Sequence, residues 1–285
     1  MRLPVVPTVP WPSAVPPSYQ VVPMEDSSQV LGALSQPAVS VVQLTRGARS
    51  RQLWPQEGSE PAAARADTRA SLSAGAAAAS DDAEVVALLD ASFAQAPPSV
   101  RGDMRRLLRL FARCAMEEGG ATADTPLAVR LVVSDGVAGA CSQLHTDRVA
   151  LRLSCSYLGA GTLFLPDASV NRGAYLALQR RESLPSPLQL ALRQPWGWAV
   201  YNGMVRWPPW ASECRTQEGD AILMKGVRWR RGTLRTAGVR RARPALTLTL
   251  TPTPTLTLTL TPTLTLTRRP TRASRAAPLA ARAGW

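Results

Sequence analysis

Apolar and polar residues recur along this chain with two different periods, and the change from one to the other divides it. In "DDAEVVALLDASFAQ", Asp81 and Glu84 stand at capping-box spacing, and Val85, Leu88, Leu89 and Phe93 form one stripe before Pro97 and Pro98. That pattern predicts a helix. In "SVRGDMRRLLRLFARCAMEEGG", Met104, Leu107, Leu108, Phe111 and Ala115 turn inward, while Arg105, Arg106, Arg109 and Arg113 make a solvated outer face that stops at Gly119 and Gly120. A second helix follows from it. The period then shortens to two: Leu127, Val129, Leu131 and Val133 alternate up to a turn at Asp135 and Gly136. "LHTDRVALRLSCSY" is the longest alternating run of the ordinary sequence; "LFL" at 163–165 and "GDAILMKG" at 219–226 add further strands. Upstream, "EDSSQVLGALSQPAVSVVQLTR" reads as a short capped helix around Val30 to Leu34 and a strand through Val39, Val41 and Val42.

Helices first and strands afterwards predict an α+β domain over residues 25–229. The Pro-rich residues 1–24 are expected to be extended or disordered, and the Ala-, Ser- and Gly-rich residues 55–79 to be a flexible insertion. Residues 180–218, with Trp196, Trp198, Trp207 and Trp210 amid prolines, read as a loop that covers a pocket or patches a core edge.

The formal charge of +13 changes little once it is located. All 20 acidic residues lie at or before Asp220, where 20 of the 33 Lys and Arg balance them. The other 13 follow, so the basic excess belongs to residues 230–285 and their immediate approach. Polynucleotide binding is expected at most weakly, through that tail. Cys114, Cys141, Cys155 and Cys214 form no C-x-x-C pair and are too sparse for a disulfide scaffold, which makes a reducing, cytoplasmic compartment the default. No apolar run reaches membrane-spanning length. The start is free of acids up to Met24, which leaves organelle import open, although Arg2 is its only basic residue.

The one histidine of the chain, His145, stands two positions before Asp147. On a strand such a pair projects to one side, with Val149, Leu151 and Leu153 as an apolar floor, and can offer nitrogen and oxygen to one cation. A hydrogen-bonded pair at a strand end is the plainer alternative. Arg148 and Arg152 would then lie on the opposite face and pair with outside carboxylates; Arg172 is a further candidate clamp.

The stretch "CSQLHTDRVALRLSCSYLGAGT", residues 141–162, resembles the family known as domain of unknown function 1826, and the similarity extends from "VRLVV" at 129–133 to "GDAILMKG". The family has no established activity. The resemblance implies a jelly-roll-like (double-stranded β-helix-like) antiparallel β core beside the helices, and a metal pocket at Cys141, His145 and Asp147 for zinc or Fe(II). It also implies a link to zinc handling. One departure stands out: where the family pattern follows the Lys-Gly strand with His-Arg-Ser-Pro, residues 230–245 here read "RRGTLRTAGVRRARPA", without a second histidine. An oxygenase triad of two histidines and a carboxylate cannot be completed in one chain. Cys141 is the nearer substitute ligand and Cys155 the more distant one. The readings are a partial metal pocket without oxygenase activity, a non-catalytic zinc protein, and an interaction protein that uses its basic tail.

The end of the chain carries "LTLTLTPTPTLTLTLTPTLTLT" at 246–267. Alternating Leu and Thr suits a strand, Pro252, Pro254 and Pro262 cut it short, and a strict dipeptide repeat is what a six-nucleotide DNA repeat encodes. The β core is therefore expected to be incomplete at its C-terminus, with an added end in place of its last strands.

Overall fold

The computed structural model describes residues 18–46, 53, 66–79, 83–134, 144–159, 161–180, 184–208, 211, 213–226, 228–229, 246–248 and 255–262. Among them the chain is α+β. The strands are β1 (Tyr19–Pro23), β2 (Val41–Thr45), β3 (Ala66–Ser73), β4 (Pro126–Ser134), β5 (Leu151–Leu158), β6 (Leu163–Leu165), β7 (Cys214–Arg215), β8 (Ala221–Lys225), β9 (Leu246–Leu248) and β10 (Thr255–Pro262). The helices are α1 (Ser27–Ser35), α2 (Ala74–Ala78), α3 (Ala83–Ser92), α4 (Pro98–Glu117), α5 (Arg172–Gln179), α6 (Ser186–Arg193) and α7 (Gly197–Val205).

Local chemistry accounts for the helix ends. Asp26 caps α1 by accepting from Gln29 N at 2.9 Å. Pro98 opens α4 rather than ending the helix before it, since a first-turn N–H has no helical partner to lose. Helix α4 stops where Gly119 N donates back to Cys114 O and Gly120 takes a positive φ of 72°.

A large sheet runs in the order β1-β2-β8-β5-β10-β4-β3 and a small one in the order β7-β6-β9. Pairing in the large sheet is antiparallel apart from β1 with β2, which are parallel. Helices α1, α3 and α4 lie on one face of the large sheet, where Leu107, Leu108 and Phe111 meet Leu44, Leu131, Leu153 and Leu223. The small sheet lies on the other: Phe164 of β6 packs with Val41, Ile222 and Met224. Strands between two layers must be apolar on both faces, and β8 is buried along its whole length. A third cluster joins Leu163 and Leu165 to α5, α6 and α7 through Tyr175, Leu178, Leu192 and Tyr201.

Several expectations change. The second half of the 55–79 insertion is ordered, as β3 against β4 and the helix α2. The 180–218 stretch is two helices and a short strand rather than a loop, and Trp196, Trp198 and Trp207 are exposed; Trp210 lies outside the described residues. The Leu–Thr repeat supplies β9, at the edge of the small sheet, and β10, between β4 and β5. Two residues per strand period suit that role, and the prolines fall at or beyond the ends of these strands. The Pro-rich start, the Asp81 cap and residues 263–285 fall outside the described residues, apart from 18–24, which include β1.

Candidate metal centre

His145 and Asp147 do not lie on a strand. Strand β5 begins only at Leu151, and the chain bends through residues 148–150. Gly226, just after β8, packs against this bend: a Cβ there would stand 2.1 Å from Val149 O and 2.7 Å from Asp147 O, so no larger residue fits. Gly226 N donates to Ala150 O at 2.9 Å. On the other side, Leu144 N donates to Asn202 Oδ1 of α7 at 2.8 Å, and the Thr146 hydroxyl lies 2.7 Å from the Tyr175 hydroxyl of α5. The segment 144–147 is thus clamped between the end of β8 and two helices.

His145 and Asp147 come together across one intervening residue, ahead of the bend at 148–150, which follows both. His145 Nε2 lies 3.7 Å from Asp147 Oδ1; the carboxylate side chain is 4% exposed and the imidazole 33%. Arg152 also reaches Asp147, Nη1 to Oδ1 at 2.8 Å, where alternation had placed it on the opposite face. The bend at 148–150 breaks the period, so counting back from β5 fails. Among the described residues no third His, Cys, Asp or Glu joins the pair in a group able to hold a metal ion. Cys141 lies outside the described residues. Arg148 is exposed, and Arg172 pairs with Asp167.

Cys155, the more distant candidate ligand, belongs to a different cluster. Under α4, Arg46 forms an ion pair with Asp103, donates from Nε to Gly219 O, and approaches Cys155 Sγ at 2.8 Å with Nη2. Tyr157 donates to Asp103 Oδ2 at 2.7 Å. Asp220 accepts from Arg46 N at 3.3 Å and from Gln43 Nε2 at 2.9 Å. Burial pushes the Cys155 thiol up to about 12 and the Tyr157 phenol well above its ordinary value, so both stay protonated at neutral pH. A sealed, protonated thiol is a poor metal ligand. The sequence did carry one signal of this cluster: Asp103 falls on the inward stripe of α4 with Val100, Met104 and Leu107.

The strand motifs now have structural reasons. Gly219 has a φ of 82°, Asp220 joins the Arg46 cluster, and the sealed Lys225 donates to Gln36 O at 2.8 Å with its Nζ 5.3 Å from the Trp229 ring. Gly161 approaches Thr216 so closely that a Cβ would stand 2.2 Å from its carbonyl, and Thr162 N donates to Thr216 Oγ1 at 2.9 Å.

Among curated proteins the chain has no match. Of solved structures, it is similar to the crystal structure of a dioxygenase for auxin oxidation in rice, at 14% identity and a TM-score of 0.35, over 84% of this chain and 77% of that one. The family model described as protein of unknown function, DUF1826, matches residues 25–245, which contain the clamp, the Arg46 cluster and the motif strands; the chain belongs to that family.

Proposed function

We propose that this chain is a non-catalytic, divalent-cation-binding member of its family, with zinc as the ion its donors favour. The observation that carries the reading is the 3.7 Å between His145 Nε2 and the largely sealed Asp147 Oδ1. One ion bonded to each at about 2.0–2.2 Å needs these atoms to close by only a few tenths of an ångström. Imidazole nitrogen with carboxylate oxygen suits zinc, and Cys141, four residues before His145, is the proposed third donor. Arg152 neutralises Asp147 and keeps the buried carboxylate from standing alone. The small sheet packed on the back of the large one supports a jelly-roll-like reading of the core. With a single histidine, the chain cannot build the two-histidine, one-carboxylate centre of the non-haem iron oxygenases, so no oxygenase step is assigned.

Elemental analysis of the purified chain after zinc exposure and desalting tests this. One zinc per chain, lost in Asp147→Ala while the fold is kept, is the expected result. A folded wild-type chain that retains no zinc contradicts it, and salt-sensitive polynucleotide binding lost on deletion after Pro262, which spares β9 and β10, would then favour the basic tail as the working part.

A further inference from the structure

The heptapeptide Leu-Thr-Leu-Thr-Leu-Thr-Pro occurs twice, at 246–252 and 256–262. The second copy makes up all of β10 but its first residue, and the first three residues of the other copy are β9. These copies sit in different places. Strand β10 pairs along its length with β4, from Thr255 opposite Ser134 to Pro262 opposite Leu127, and with β5 from Leu256 opposite Leu158 to Leu260 opposite Leu153. Among the described residues, strand β9 pairs with β6 alone, through three residue pairs.

Identical sequences ten residues apart offer the slot between β4 and β5 the same side chains in the same alternation, because an even shift keeps each residue type on its face of the sheet. We propose that the slot is filled by either copy, so that the central strand exchanges between two registers ten residues apart. The connection allows it. Strand β8 ends opposite Leu151, whereas the slot is entered opposite Leu158, one length of β5 away, roughly 26 Å. Sixteen residues lie between Trp229 and Leu246, enough to span up to about 55 Å. The register in the structure keeps two things that the other gives up: the pairing of β9 with β6, and Thr255 opposite Ser134, where Ala245 would stand. The first copy is therefore the minor occupant. Its entry frees the outer edge of β6 and releases ten more residues beyond the slot. The covalent tether keeps the duplicate at an effective concentration on the order of millimolar, which favours exchange within a chain over insertion from a second one.

The test is disulfide trapping in the full chain. Position 132 of β4 faces 257 in the observed register and would face 247 in the other. Cα atoms directly opposed on antiparallel strands, about 4.5–5.5 Å apart, lie within disulfide range. Val132→Cys is combined with Thr257→Cys in one variant and with Thr247→Cys in another, and the links are mapped by peptide mass after mild oxidation. The first variant should cross-link in high yield and the second in low yield. Adding Leu258→Pro, which removes a ladder donor from the second copy only, should raise the yield from position 247 by roughly tenfold. A link from 247 that stays absent even with Leu258→Pro overturns the proposal, as does unfolding of the Leu258→Pro chain, since the first copy should replace the second. A link from 247 that joins two chains also overturns it, and assigns the slot to a second copy of the protein.

Discussion

Arg46–Asp103 under the helix layer and Arg152–Asp147 at the start of β5 are both arginine–carboxylate pairs, but their surroundings differ. Arg46 is sealed, and Asp103, Gly219 and Cys155 take its three guanidinium nitrogens, while Tyr157 takes a further place on the carboxylate. Arg152 is 31% exposed, with one buried nitrogen, Nε, left without a hydrogen bond among the described residues, and its carboxylate partner also faces a half-buried imidazole. A saturated pair locks four elements together and leaves no room for a ligand. An incompletely saturated pair beside a histidine leaves its carboxylate to the second cation proposed above.

The largest expected effect is on the sealed pair. Asp103→Ala leaves a guanidinium buried without its counter-charge and should cost about 3–5 kcal/mol by urea denaturation. Asp147→Ala lets the partly exposed Arg152 turn to water and should cost only about 1–2 kcal/mol. Equal losses would break the comparison. Next is alkaline pH. The Cys155 thiol rises from 9.0 to about 12 on folding, so its stabilising contribution is complete below pH 9 and is lost as pH rises through 12; Tyr157, also raised, adds in the same direction. Stability measured from pH 8 to 12 should fall across that window, and a flat profile would show that the cluster is not sealed. A smaller effect belongs to the open site: Gly226→Ala, which drives a Cβ against Val149 O, should cost about 1–3 kcal/mol and weaken zinc binding by moving the 144–147 segment. Unchanged binding would show that Gly226 does not position the pair.

Helix α4, strands β4 and β8 and the partnership of His145 with Asp147 were all legible in the residue pattern. Period and capping are local properties, and sequence carries them. The place of that pair relative to β5 was not legible, because a bend at 148–150, packed against Gly226 some 80 residues away in sequence, separates it from the strand that alternation implied. Arg152 was placed on the wrong side for the same reason. Arg46 carries no signal in the sequence because its partners come from α4, β5 and the turn before β8, and no spacing along the chain joins them. Strand β3 and the helices between 186 and 205 were hidden by small residues and prolines that resemble a linker's until tertiary packing decides.

The most direct measurement is a calorimetric zinc titration of the wild-type chain beside Arg152→Gln. If the Asp147 carboxylate is shared between Arg152 and a metal ion, removing the competing guanidinium should tighten zinc binding by roughly tenfold, at one ion per chain. If neither protein takes up zinc, or if Arg152→Gln weakens the binding, Asp147 serves only to hold its arginine and the metal centre is contradicted.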